Sequence, residues 1–164
     1  MPKEIERKFL VTSDAWRKKG RATRYRQGYI VSAGGKTVRV RVGGGEAFLT
    51  IKGPRTGLSR DEFEYAIPVK EAQEMLDTLC VGGVIEKVRH EVRAAGLLWE
   101  VDEFEGDNAG LVLAEVELKR EGQEVELPDW VGKEVTSDRR YYNSYLSRKS
   151  YRTWWRRRRS KAAG

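Results

Sequence analysis

Soft-metal and disulfide chemistry are poorly provided for in this chain, which holds one cysteine, Cys80, and one histidine, His90. A lone thiol closes no intramolecular bridge, and nothing points to an oxidising compartment. Cys80 ends a run of helical spacing, where a buried, inert thiol is expected rather than a nucleophile. His90 follows Arg89 in an alternating stretch, so it should face outward and take no catalytic part. Long apolar runs are missing too. No segment approaches a membrane span, and Met-Pro-Lys-Glu offers no apolar signal region, so a cytoplasmic address is expected. Apolar residues make up only 39% of the 164, a low share for one compact core, and the share expected if interior positions carry charge. Acidic residues are absent from residues 148–164, which hold eight basic groups. Taking those eight from the net +7 leaves −1, so the basic character belongs to a tail and the rest is nearly neutral.

What the chain has in quantity is alternation. Glu4, Glu6 and Lys8 lie two residues apart, so in a strand they share one face while Ile5, Arg7 and Phe9 take the other. The pattern returns with Arg39 and Arg41, then Lys52, Glu62 and Glu64, Lys87 and Arg89, Glu100 and Asp102, and Glu115 and Glu117. Charges come in like-signed pairs, strand by strand. Such strands repel themselves unless opposite pairs face one another or a ligand intervenes, and a closed barrel with a charged interior meets that demand.

In sequence order these motifs resemble the triphosphate tunnel metalloenzymes, the CYTH superfamily. Glu4-x-Glu6-x-Lys8, Arg39-Val40-Arg41, Thr50-Ile51-Lys52, Glu62-Phe63-Glu64-Tyr65, Lys87-Val88-Arg89, Glu100-Val101-Asp102 and Ala114-Glu115-Val116-Glu117 carry the likeness over residues 3 to about 147. It implies a tunnel domain over residues 1–147 and a basic extension over 148–164.

Read in order, the strands fall at about residues 4–11, 23–31, 38–42, 47–52, 59–67, 85–94, 97–105 and 111–120, separated by Gly-rich turns. Eight antiparallel strands suffice to close a barrel around one small ligand. A short helix is expected through Trp16 after the caps of Thr12-Ser13-Asp14. An amphipathic helix is expected over 70–80, with Ala72, Met75, Leu76 and Leu79 on one face. A C-terminal helix is expected over 139–146. The fold class is thus a mainly β, eight-stranded barrel with flanking helices.

Lys8, Arg39, Arg41, Lys52, Lys87 and Arg89 would give the interior six cations, for which a multiply phosphorylated anion is the natural ligand. Carboxylates do not bind phosphate, so the acids must pair with these bases and hold hard divalent cations, Mg²⁺ or Mn²⁺. The resemblance implies that Glu4, Glu6, Glu115 and Glu117 coordinate metal, with Glu62, Glu64 and Asp102 for a second ion or for ordering water. It implies that the six bases grip phosphates and that Tyr29 works with Lys8 as base or proton shuttle. The small members of the superfamily, which hydrolyse inorganic triphosphate, are the most similar. A nucleoside triphosphatase, a class IV adenylyl cyclase, and a non-catalytic binder of polyphosphate or nucleic acid are the alternatives. A homodimer is also entertained. Trp154-Trp155 and Arg156 to Arg159 give the tail a composition suited to anionic polymers.

Overall fold

The computed structural model describes residues 2–154. Among these, nine strands carry the fold: β1 (Lys3–Val11), β2 (Arg21–Ala33), β3 (Lys36–Gly43), β4 (Glu46–Lys52), β5 (Ser59–Ala66), β6 (Val81–Ala94), β7 (Leu97–Phe104), β8 (Val112–Glu117) and β9 (Val131–Glu134). Helix α1 (Val69–Thr78) follows β5, and a short α2 (Asn143–Leu146) follows a single 3-10 turn at Arg139–Tyr141. The strands pair in the order β5-β4-β3-β2-β6-β7-β8-β1, and β5 returns to β1 to close the ring. The eight-stranded barrel expected from alternation is the one observed. The four-residue β9 was not expected; it lies on the edge of β1 that β5 leaves free.

Two hairpins show how the sequence sets these turns. Gly34-Gly35 and Gly44-Gly45 all take positive φ, from 59° to 79°, as two-residue loops matching the twist of the flanking strands require. Gly28 answers to a different constraint. A Cβ there would stand 2.6 Å from the Cys80 sulfur, because the end of α1 and the residues after it press directly on the β2 backbone.

Three apolar clusters surround the charged interior. On the outer face of β2, β3 and β4, α1 lays Ala72 and Leu76 on Val40 and Ala47. On the opposite outer face, Trp16 and Trp130 fold over Phe9, Val92, Trp99 and Val116. The third lies inside. Leu10, Ile85, Phe104 and Leu113 have the parity of Lys8, Lys87, Asp102 and Glu115, so they continue the inner face; Val135 and Leu146 close over them. One end of the barrel thereby becomes an apolar floor with α2 set into it.

Several local expectations change. The segment before β2 is a series of bends and turns, not a helix. Trp16 is fully buried and its Nε1 donates to the Ser13 carbonyl at 2.8 Å, and that anchor holds the segment flat against the barrel. The helix over 139–146 is split at Tyr142, whose extended backbone (φ −72°, ψ 136°) turns its ring toward Lys8. His90 does face away from the interior, but it is buried, its ring 4.8 Å from that of Trp16. Residues 151–154 form a helical turn, where Trp154 stacks edge-on against Tyr141 and Tyr151. The arginine run at 156–159 lies outside the described residues.

Candidate active site

Above the floor lies a cavity of about 250 Å³. Its walls bring together Glu4, Glu6 and Lys8 of β1, Tyr29 of β2, Arg39 and Arg41 of β3, Lys52 of β4, Glu62 and Glu64 of β5, Lys87 and Arg89 of β6, Glu100 of β7, and Glu115 and Glu117 of β8. Asp102 is not in the wall. It stands behind it, fully buried, taking two hydrogen bonds from Arg89 at 2.8 and 2.9 Å and one from Lys87 at 2.7 Å.

Cross-strand register decides which charges meet. Lys8 lies opposite Glu115, Lys52 opposite Glu62, and Arg89 opposite Asp102, each an attractive pair. Two facing pairs are repulsive: Glu6 with Glu117, and Glu100 with Glu115. The cavity is therefore two-sided. Acids gather on β1, β7 and β8, while Arg39, Arg41, Lys87 and Arg89 gather on β3 and β6.

The acidic side is only partly neutralised. Lys8 reaches Glu115 at 3.3 Å and the Tyr141 carbonyl at 3.2 Å; Lys52 reaches Glu4 at 2.8 Å and Glu62 at 3.5 Å. Burial would raise Glu115, yet Lys8, Arg89 and Lys87 overcome it and hold the carboxyl well below its usual range. Glu4 is likewise brought down by Lys52 against its burial. Glu6 goes the other way. Burial, then Glu115 and Glu4, push it up to about 8. Burial and neighbouring carboxylates also raise Glu62 and Glu117. The acids thus stand close enough to hold protons that a cation could displace.

On the basic side the shortage is of anions. Arg41 donates from Nε to the Gln27 side chain at 3.0 Å and lies over the Tyr25 ring, but among the described residues it pairs with no carboxylate. Burial, then Arg39 and Arg89, push it down to about 9. Arg39 meets Glu64 at 3.7 Å, and its Nε is buried without a partner. Asp102 is held low, to about 2, because Arg89 and then Lys87 outweigh its burial. With Arg89 satisfying most of that carboxylate, burial brings Lys87 down to about 7.

Other residues join the site without having been foreseen. Gln27, fully buried, donates to the Asn143 side chain at 3.2 Å and to the Tyr29 hydroxyl at 3.4 Å while accepting from Arg41. Asn143 of α2 also accepts from Lys87 at 3.0 Å. Arg55, Arg60 and Tyr142 complete the wall. Gln27 has the parity of Tyr29 on β2, a signal that alternation offered. Tyr142 and Arg55 come from irregular segments, and Asn143 opens a four-residue helix too short to show a period.

Comparison with known proteins gives a consistent result. The chain matches the CYTH domain over residues 2–151. It is 51% identical over 154 residues to an inorganic triphosphatase of Acetivibrio thermocellus, covering 94% of this chain and 99% of that protein. It is 40% identical over 150 residues to an inorganic triphosphatase of Nitrosomonas europaea, covering 88% and 96%. A crystal structure of an inorganic triphosphatase superposes with a TM-score of 0.62 at 38% identity, covering 88% of this chain and 97% of that one.

Proposed function

Because this chain belongs to the CYTH family, we propose that it is a metal-dependent hydrolase that cleaves inorganic triphosphate to pyrophosphate and phosphate within its barrel. The observation that carries this reading is the two-sided cavity, in which, among the described residues, a basic wall short of an anion at Arg41 faces an acidic wall short of a cation where Glu6 and Glu117 stand opposite one another. A triphosphate with a divalent ion supplies both. Arg39, Arg41, Lys87 and Arg89 bind and orient the phosphate chain, their charge opposing the negative charge that grows on the transferring group. Lys8 and Lys52 lie between the two sides.

Glu4, Glu6, Glu115 and Glu117 would hold the ion. Their oxygen donors suit a hard cation, Mg²⁺ or Mn²⁺, and burial together with neighbouring carboxylates raises Glu6 and Glu117, which supports placing a cation there. Among the described residues no three carboxylates converge as a ready-made ligand cluster. When bound, the ion would supply positive charge against the negative charge of the scissile group. Glu62 and Glu64 serve a second ion or order the attacking water. Asp102 fixes Arg89 and Lys87 from behind, a positioning part rather than a ligand's. Tyr29 with Lys8 is proposed for proton movement, and Gln27 fixes the Tyr29 hydroxyl.

For the rest of the molecule we propose that the basic tail contacts anionic polymers and that two copies pair through the outer face of β4 and β5, where Ile51 and Tyr65 are exposed. Among the described residues no helix is long and apolar enough to cross a membrane, and a cytoplasmic site of action is proposed. The deciding experiment is phosphate release from inorganic triphosphate beside ATP and pyrophosphate, with and without chelator. ATP cleaved faster than triphosphate would overturn the substrate, and full activity in excess chelator would overturn the metal.

A further inference from the structure

Arg55 stands in the cavity wall although it belongs to no strand. It sits on the loop between β4 and β5, which Arg60 fixes by donating to the Gly53 carbonyl at 3.0 Å and the Gly35 carbonyl at 3.3 Å. Arg60 is occupied by that backbone work. Arg55 is not: its Nη2 lies 3.4 Å from a Glu6 oxygen, its guanidinium lies 5.1 Å from the centre of the Tyr142 ring, and its Nε is buried without a hydrogen-bond partner. A charge-assisted guanidinium–carboxylate bond normally closes to about 2.7–2.9 Å. The Glu6 contact is therefore loose, and the aromatic ring supplies much of what holds the side chain in place.

Glu6 is also one of the acids assigned above to the divalent ion. A dication on that carboxylate would stand a few ångströms from the guanidinium, and the two would repel. Resting on the triphosphatase reading, we propose that Arg55 is a further phosphate ligand, held by Glu6 in the free protein and handed to the triphosphate when the metal takes Glu6. The guanidinium keeps its seat on Tyr142 and exchanges a carboxylate partner for a phosphate oxygen. The loop, already fixed by Arg60, need not move.

Removing Arg55 then acts in opposite directions on two ligands. Without it Glu6 is freer for metal, so Mg²⁺ alone should bind several-fold tighter; without it the phosphate chain loses a charged donor, so binding should weaken about tenfold or more. Calorimetry on wild type, Arg55→Ala and Arg55→Gln at one fixed pH measures both. The probes are Mg²⁺ alone and, in saturating Mg²⁺, an imido-bridged triphosphate that is not cleaved. Thermal unfolding without ligand checks that each variant is folded. Opposite shifts in both variants support the exchange. Parallel weakening for both ligands, or unchanged affinity for the triphosphate, overturns it while the triphosphatase reading stands. A wild type that binds neither probe overturns both.

Discussion

Arg41 is a half-buried guanidinium beside Arg39 and Arg89 that pairs with no carboxylate among the described residues, so the free protein is less stable for having it. Arg41→Met should leave the melting temperature unchanged or raise it, while kcat/KM for triphosphate falls by the equivalent of about 2–4 kcal/mol, the scale of losing one donor to a developing oxyanion. Asp102→Asn should behave differently. It leaves buried Lys87 without a carboxylate and Arg89 with Glu100 alone, and should cost stability on the order of 3–5 kcal/mol, read from denaturant unfolding. Equal stability effects from the two substitutions would refute this contrast. Lys87 gives a pH dependence. Its folded value, about 7, lies below the ordinary 10.5, so between those limits the unfolded chain holds a proton the native chain has lost. The Lys87 contribution to stability therefore rises with pH across that window, and its penalty is full below 7. A bound triphosphate returns the proton, so with Mg²⁺ already saturating, binding at about pH 8 should take up a proton that a Lys87→Met variant does not, seen as a dependence of calorimetric enthalpy on buffer. No uptake at that pH would show that Lys87 does not meet the phosphates. The strand residues of this site were legible because a two-residue period fixes which side chains share a face. Asp102 shows where that reading stops: parity places it inward, but only the bidentate contact with Arg89 reveals that it backs the wall instead of lining it.

At the scale of elements, propensity was overruled where an aromatic ring found a pocket. Ser13 and Asp14 are good helix caps, yet Trp16 is buried on the outside of the barrel and the segment follows the ring. Trp16→Ala should cost about 3–5 kcal/mol, and because its cluster lies outside the barrel, kcat should change little at temperatures where the variant remains folded. A large kcat loss in a folded variant would mean that the outer cluster sets the geometry of the inner face. Tyr142 interrupts the last helix for a similar reason, its ring lying within 5.4 Å of the Lys8 ammonium. Neither break leaves a trace in local composition, since both depend on a partner distant in the chain. The eight barrel strands, α1 and the Gly-Gly hairpins needed only their own residues, and they were read correctly apart from their ends; β9 was missed.

For the whole molecule, the closed ring explains how so many charges are tolerated inside a small domain: most strands bring one sign, β1 brings both, and register sets Lys8, Lys52 and Arg89 against acids. The ring also joins the two ends of the chain. β1 pairs with β8 at Glu6 and Glu117 and with β9 at Phe9 and Glu134, while its seam with β5 is only three residue pairs long. A ribosome delivers β1 before its main partners β8 and β9, so during synthesis Phe9 waits uncovered and Ile5 has only the short seam with β5. Nascent chains stalled before β8 emerges should be cut within β1 by a protease that leaves the same strand untouched once β9 and α2 have been released. Protection of β1 at the earlier stall would mean that the short seam with β5 is enough to shelter it. If it is not, the enzyme cannot exist in part: synthesis yields no charged half-tunnel able to trap phosphate, and the site comes into being only as the last elements close the ring and its floor.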